Sequence, residues 1–411
     1  MNTTKPMSAW QFTLFRVVFG AYLVVHFAQL VPWAGELFSS EGVLPDARLN
    51  FTHGYLPNPL EHFQSAVFAK SFIATLAILA VLFTLGIGRR VCAVLLWYGW
   101  ACLFNRNNLI SNPGIPYVGL LLLLSTLVPA GEPLAFRSRR DPAWRMPATI
   151  YWGAWMLLVV GYTYSGAWKL FSPSWLDGSA LHHLLTNPLA RPGIFRDLLL
   201  SLPDALLRVL TWAALAGELL ALPLCLSRRG RCVAWVSMLA MHLGVMLVVD
   251  FADLTLGMVM IHLFTFDPEW LPARREQRTL VLFDGECGLC DRTVNFLLAE
   301  DTAQALRFAP LQGPTAAPLL RKHSLDAQPL RSVISVECEG AANERALVKS
   351  AAVAAALDSI GGLWRVSAWM MRLVPRPVRD AAYDFIAARR HKWFPPACRL
   401  ARPGDSARLL P

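Results

Sequence analysis

Eight apolar segments in the first 270 residues constrain the possible fold more than any other feature of this sequence. A helix that crosses the roughly 30 Å hydrocarbon core of a bilayer needs about 20 mostly apolar residues, and the longer segments reach that length. The segments are residues 10–31, 71–88, 91–104, 115–130, 149–165, 205–226, 232–249 and 254–266. Charged residues make up only 16% of the chain, whereas they make up about a quarter of soluble domains. The sequence therefore predicts a polytopic α-helical membrane domain of about eight spans over residues 1–270.

Clusters of basic residues separate the apolar segments. If Lys5 and the N-terminus are cytoplasmic, every cluster falls in a cytoplasmic connection, as the positive-inside rule requires. The clusters lie at 89–90, 137–145, 228–231 and 274–278. We therefore expect a multi-pass protein of the inner (plasma) membrane with both termini cytoplasmic; in the alternative, the segment 91–104 or 254–266 is re-entrant. On this interpretation the basic residues behind the net charge of +10 are membrane topology signals. We therefore expect the lipid bilayer as a partner and no binding of nucleic acid.

Titratable side chains inside the apolar segments are candidates for function, because a charge within the bilayer is costly. Glu218 and His242 lie near the middle of the sixth and seventh segments, while His26 and His262 lie nearer segment ends. Glu218 has to be protonated, paired or in contact with water. A packing role is the alternative for each histidine, and Arg16 is expected to extend toward the membrane interface.

Lys169 follows the fifth segment and departs from the chain's preference for arginine. Only six of the 38 basic residues are lysine. An ammonium group can lose its proton when it is desolvated, whereas a guanidinium effectively cannot, so a lysine at this position is a candidate base. An interfacial lysine whose charge reaches water is the alternative.

The stretch around Lys169 resembles the vitamin K-dependent gamma-carboxylases and the broader HTTM (horizontally transferred transmembrane) family. The residues that match are Tyr162, Gly166, Lys169, Leu170, Trp175 and Gly178. The resemblance spans about residues 10–270 and extends to the helices that hold Glu218 and His242. It implies that Lys169 deprotonates a hydroquinone, that Glu218 and His242 belong to a cofactor-binding site, and that the cofactor is a membrane quinone.

The pattern changes after residue 270. Residues 271–278 form a basic linker, and 279–411 have the composition of a globular domain. The apolar run "TLVLF" predicts a buried strand, and the glycine-rich turn after it leads into a helix. The predicted elements are strand 279–283, helix 291–298, strand 306–310, a strand pair at 332–337 and 345–349, and helix 350–360. This order predicts a C-terminal α/β domain with a thioredoxin-like fold.

The stretch "VLFDGECGLC" at 281–290 contains a Cys-x-x-Cys pair. A cysteine at a helix start has its thiolate stabilised by free backbone N–H groups and the helix dipole, so Cys287 is the expected attacking thiol. Cys290, one turn later, can resolve a mixed disulfide. Asp284 either accepts a proton from the resolving thiol or caps the turn. Pro329 is either a cis-proline that faces the dithiol or an ordinary strand-initiating proline.

Other uses of the cysteine pair are poorly supported by the sequence. A zinc site would need a second pair of ligands, and Cys338 and Cys398 each stand alone. A c-type haem would need a histidine directly after Cys290, where the chain has Asp291. We therefore expect no metal.

Three stretches of the C-terminal part are similar to the DCC family of thiol-disulfide oxidoreductase-like proteins. They are "FDGECGLCDRTVNFLLAED", "LRFAPLQ" and "LVPRPVRDAAYDFIAARRHKWF". Asp284, Cys287 and Cys290 match the Asp-x-x-Cys-x-x-Cys hallmark of that family. The resemblance implies a thiol-disulfide oxidoreductase of the protein-disulfide reductase type, with a cytosolic thiol reductant or a protein dithiol as partner. Two alternatives stay open: an enzyme in the helical half that uses Lys169, with a redox-sensing second domain, and a non-enzymatic membrane scaffold.

Overall fold

A computed structural model of the chain forms two compact units that meet in sequence between Phe266 and Asp267. It describes residues 7–136, 140–141, 143–250, 252–274, 278–325, 332–395 and 407–411, with the backbone alone for 252–254. Pro329, Cys398, Lys5 and parts of the basic clusters at 137–145 and 274–278 lie outside the described residues. The predictions made for them stay predictions.

The first unit is helical throughout its described part. Its long helices are α1 (Ala9–Leu30), α4 (Ala66–Leu85), α5 (Arg89–Arg106), α6 (Gly114–Leu127), α7 (Ala148–Lys169), α11 (Asp204–Cys225), α12 (Arg228–Val248) and α13 (Ala252–Thr265). The connections carry the short helices α2 (Ala34–Phe38), α3 (Pro59–His62), α8 (Pro173–Leu176), α9 (Ala180–Thr186) and α10 (Ile194–Leu200), and a 3₁₀ turn at Ala47–Leu49. A helix thus covers most of each predicted apolar segment.

Length and composition separate six of these eight helices into two groups, and α5 and α7 belong to neither. In the described part of the chain, α1, α4, α11 and α12 are long and apolar enough to cross a bilayer, whereas α6 and residues Thr255–Thr265 of α13 are shorter apolar helices. Val67, Ile78 and Val233 are among the many large apolar side chains that point outward, as lipid-facing surfaces require. The number of spans stays a prediction.

Serine side chains begin several of these helices. The Ser8 hydroxyl accepts a hydrogen bond from the backbone N–H of Gln11, and Ser65 does the same for Phe68. Such N-caps satisfy donors that the first helical turn leaves without partners. At the other end of α4, Gly86 adopts a φ of 72°, a left-handed conformation that favours glycine and ends the helix.

A buried ion cluster joins α1, α5 and the segment after α6. Glu132 Oε1 lies 2.9 Å from Arg16 Nη1 and 2.8 Å from Arg89 Nε. The Arg16 side chain is fully buried, and its second terminal nitrogen donates to the Leu134 carbonyl oxygen at 2.9 Å. Arg16 thus points toward the connection that follows α6, where Glu132 and a carbonyl oxygen pair with its charge, and its position relative to the membrane interface stays a prediction.

The second unit is an α/β domain around one mixed sheet. Its strands are β1 (Thr279–Phe283), β2 (Leu306–Pro310), β3 (Ile334–Glu337) and β4 (Arg345–Val348), and its helices are α14 (Gly288–Glu300), α15 (Ala316–Lys322), α16 (Lys349–Ile360), α17 (Gly362–Leu373) and α18 (Arg376–Trp393), after a 3₁₀ turn at Pro268–Trp270. The strand order is β2-β1-β3-β4, with β1 parallel to β2 and antiparallel to β3, and with β3 antiparallel to β4. The predicted elements occur in the predicted order, and α15 and α17 are additions that the sequence pattern did not indicate.

Strand β1 is buried on both faces, which explains its continuous apolar sequence. Leu280 and Leu282 pack on one side with residues of α15, while Val281 and Phe283 pack on the other side with residues of α14 and α16. The turn that carries the cysteine pair therefore leaves a fixed strand end and enters a helix that is itself packed on the sheet.

Candidate functional sites

The cysteine pair lies where β1 ends and α14 begins. Cys287 is the N-cap residue of α14, and Cys290 lies one turn into that helix. The backbone N–H of Cys287 donates to the Asp284 carbonyl oxygen at 3.3 Å, which closes the turn. Both cysteines are free thiols in this structure. The arrangement brings together the three residues of the predicted dithiol site.

The two thiols differ in access. Cys287 is fully buried, whereas Cys290 keeps part of its surface exposed. The chain after α18 lies over the start of α14. Its approach is so close that a Cβ placed on Gly288 would collide with the Pro395 carbonyl oxygen. Cys287 was expected to be the attacking thiol, yet Cys290 is the one that a reactant can reach in this structure.

Asp284 is fixed by several partners at once. Its Oδ2 lies 2.5 Å from Arg390 Nη2, and its Oδ1 accepts hydrogen bonds at 3.1 Å from the Gln312 side chain and from the backbone N–H of Glu286. Asp284 and Arg390 are both nearly buried. The contact to Glu286 is the turn-capping geometry, one of the two roles considered for this aspartate.

Arg390 is a residue of this site that the sequence did not reveal. It lies in α18, 106 positions from Asp284, in a basic segment that resembles an ordinary surface helix. The helical spacing of basic and aromatic residues in that segment indicates a helix, but it does not indicate which arginine is buried. Only the long-range packing of α18 reveals this ion pair.

Burial governs the acidity of the accessible thiol. Removal from water raises the pKa of Cys290 to about 12, and the hydrogen bond and charge of Cys287 act in the same direction, while Arg390 partly opposes them. Burial also raises the pKa of the nearby Tyr383 hydroxyl. At neutral pH the Cys290 thiolate is therefore scarce, which limits the rate at which this sulfur can attack.

A second cluster of titratable groups lies in the helical unit. Lys169 Nζ, at the end of α7, is 2.5 Å from Glu218 Oε1 in the middle of α11, and it lies 4.3 Å from the centre of the Trp175 ring. The Lys169 side chain is 23% exposed and that of Glu218 only 4%. Gly166 allows the two helices to approach, since a Cβ there would lie 3.0 Å from the backbone nitrogen of Leu219. Two of the predicted site residues, Lys169 and Glu218, therefore lie in direct contact, and the sequence did not predict that they pair.

Tyr162, His242 and His262 extend this cluster. The Tyr162 ring centre lies 5.8 Å from that of His242 and 5.9 Å from that of His262. Within the described residues, the Tyr162 hydroxyl, Glu218 Oε2 and both ring nitrogens of His242 have no hydrogen-bond partner. Buried polar atoms without partners are uncommon, and they fit a bound molecule that carries hydroxyl or carbonyl groups.

His26 belongs to a different environment. Its ring lies 4.8 Å from the Trp100 ring and 5.4 Å from that of Phe27, which is an aromatic packing contact. Across the part of the chain that the structure describes, no three histidine, cysteine or acidic side chains are grouped so that they could hold a metal ion.

These features define a membrane-associated helical protein with a C-terminal dithiol domain. The family model for the HTTM domain matches residues 4–270, and the model for the DCC1-like thiol-disulfide oxidoreductase matches residues 281–395. The chain therefore belongs to the HTTM family and carries a DCC1-like domain after its HTTM domain, as the resemblances predicted.

Two relatives match parts of the chain. The uncharacterized protein YuxK of Bacillus subtilis is 34% identical over 134 residues, which are 32% of this chain and 93% of that protein. A chloroplastic DCC family protein of Arabidopsis thaliana is 31% identical over 119 residues, which are 29% of this chain and 66% of that protein. No solved structure matches the chain.

The raised pKa of Cys290 predicts how its alkylation depends on pH. We expect the rate to rise about tenfold per pH unit between roughly pH 7 and 10, because the thiolate fraction grows in that proportion far below a pKa of about 12. Rates at the Cys290 peptide, followed by mass spectrometry, measure this dependence. A plateau near pH 9 would contradict it, since a free thiol has a pKa of about 8.5.

The raised pKa of Cys290 also predicts that the stability of the domain falls as pH rises above about 8.5, because the folded state holds the Cys290 proton more tightly than the unfolded state.

Proposed function

We propose that this protein is a membrane-anchored thiol-disulfide oxidoreductase that works through the Cys287/Cys290 dithiol. The observation that carries the proposal is the placement of two free thiols at the start of α14, with Cys287 as the N-cap residue and Cys290 one turn later. The strand order β2-β1-β3-β4 supports assignment of this domain to the thioredoxin-like class. The proposed domains are 1–270 and 279–411, joined by the basic linker 271–278.

The dithiol would reduce a substrate disulfide in two exchange steps. One thiolate attacks a substrate sulfur, a mixed disulfide forms, and the second substrate sulfur leaves as a thiol after it takes up a proton. The remaining cysteine then attacks the mixed disulfide, so the substrate leaves as two thiols and the Cys287–Cys290 disulfide remains. A cytosolic thiol reductant would restore the dithiol, which agrees with the cytoplasmic placement proposed from the arginine clusters.

A second candidate function concerns the cluster around Lys169. The ion pair with Glu218 provides a path for the ammonium proton, and its transfer to the carboxylate would leave a neutral amine that can act as a base. The Tyr162 hydroxyl and the His242 ring nitrogens, which have no partner among the described residues, could orient the head group of a hydroquinone. A quinone would supply two-electron chemistry there, and it could couple the membrane site to the dithiol.

Loss of either active cysteine tests the first proposal. We expect Cys287→Ser and Cys290→Ser each to lower the rate of disulfide reduction by at least about 100-fold, because two-step exchange needs both sulfurs. The assay follows release of a fluorescent thiol from its mixed disulfide with glutathione, with purified full-length protein in detergent. Cys338→Ser is the matched control and should keep the normal rate. Unchanged reduction by either active-site variant would overturn the proposal.

Binding of a hydroquinone tests the second candidate. A short-chain ubiquinol at 100 times its Kd should stabilise the wild-type protein by about 2.7 kcal/mol. Lys169→Met and Glu218→Gln should lose this stabilisation, because each removes one member of the ion pair. The readout is thermal unfolding of the detergent-solubilised protein, and Lys349→Met, in the other unit, is the control. Equal stabilisation of Lys169→Met and wild type would refute a role for Lys169 in binding.

A further inference from the structure

The C-terminal unit contains a cavity of about 340 Å³ beside the dithiol. It lies between β1 and helices α14, α16, α17 and α18. Its walls are almost entirely apolar, and they include Leu289, Val353, Leu357, Trp364, Ile386 and Ala387. Sites that bind small molecules have volumes of about 300 to 1,000 Å³ and are lined mostly by apolar side chains, so the cavity has the size and character of a ligand site.

Cys290 forms part of the cavity wall, whereas Cys287 does not. Cys287 is fully buried, and the Pro395 carbonyl oxygen covers the helix start beside it. A reactant that approaches through the cavity therefore meets Cys290 first. A loop of a folded protein would need an open surface at the helix start, and that surface is covered by the chain after α18.

Tyr383 and Arg390 are polar residues in the wall of this cavity. The Tyr383 hydroxyl oxygen accepts a hydrogen bond from the backbone N–H of Val333 at 2.8 Å, so its own hydrogen can be donated to a guest. Arg390 also lines the cavity, but Asp284 lies 2.5 Å from its guanidinium group and balances its charge. Among the described residues that line the cavity, Arg390 is the basic one, and its charge is balanced, so these residues do not favour an anionic ligand.

We propose that this cavity is the substrate site of the dithiol and that it takes small apolar disulfides, in preference to charged small disulfides or disulfides of folded proteins. The inference rests on the proposed thiol-disulfide exchange function and specifies its substrate class. It also specifies the order of attack, because Cys290 is the sulfur that faces the cavity.

Two exchange steps follow from this order of attack. Cys290 loses its proton, and its sulfur forms a mixed disulfide with one substrate sulfur while the other substrate sulfur leaves and takes up a proton. Cys287 then attacks Cys290 Sγ, the second substrate sulfur leaves as a thiol, and the Cys287–Cys290 disulfide forms. The substrate gains two electrons and two protons, and the dithiol loses them. A soluble thiol such as glutathione then reduces the Cys287–Cys290 disulfide back to the dithiol and is itself oxidised to its disulfide.

The test compares matched disulfides and matched variants of the full-length protein in one detergent. The three substrates are dibenzyl disulfide, which is apolar, oxidised glutathione, which is charged, and insulin, which is a protein. The rate at which the protein reduces each disulfide is divided by the rate at which dithiothreitol reduces the same disulfide. Val353→Phe on α16 and Ala387→Phe on α18 fill the cavity from two walls. Ala388→Phe is the control, because Ala388 is exposed on the same helix and does not line the cavity.

We expect the wild-type protein to prefer dibenzyl disulfide over oxidised glutathione by at least about tenfold, because an apolar pocket discriminates against charge. At least one filling variant should lose most of that preference and keep its rate with glutathione, and Ala388→Phe should behave as wild type. Equal normalised rates for the three disulfides, or filling variants that never lose the apolar rate selectively, would overturn the inference while the proposed function stands. If no disulfide oxidises the pair, the proposed function itself fails.

Discussion

An ionised side chain that leaves water needs a partner of opposite charge, and three ion clusters hold the important parts of this protein in place. They are Arg16 and Arg89 with Glu132, Lys169 with Glu218, and Arg390 with Asp284. Each pair joins segments that are far apart in sequence. Removal of one partner from a buried pair costs roughly 3–5 kcal/mol, so these contacts constrain which helices can be neighbours.

The same constraint separates the two candidate sites by their chemistry. Lys169 and Glu218 form an ion pair in which the carboxylate is nearly buried and the lysine is partly exposed, and this contact underlies the proposed proton transfer. At the dithiol, Arg390 is tied to Asp284, so it does little to stabilise a thiolate at Cys290, and burial keeps that thiol protonated. One site is thus suited to proton transfer and the other to slow, selective sulfur exchange.

Local patterns in the sequence were sufficient to predict the long apolar helices and the strands around the dithiol, because apolar periodicity and glycine-rich turns act over a few residues. The apolar run before Cys287 and the turn at Asp284 located the dithiol for this reason. Long-range partners were not predictable: nothing near Arg390 indicates Asp284, and nothing near Arg16 indicates Glu132. The Pro395 carbonyl oxygen beside Gly288, at the start of α14, likewise comes from a segment distant in sequence, so the covering of this helix start could not be inferred from the motif.

A redox titration of the Cys287/Cys290 pair in intact membranes tests the central claim most directly. The pair is equilibrated at defined potentials, trapped with a membrane-permeant or an impermeant thiol reagent, and quantified by mass spectrometry. The proposed function predicts a reversible two-electron transition that only the permeant reagent detects, since the dithiol would be cytoplasmic. A pair that shows no reversible transition would contradict the redox function, and labelling by the impermeant reagent would contradict the proposed orientation.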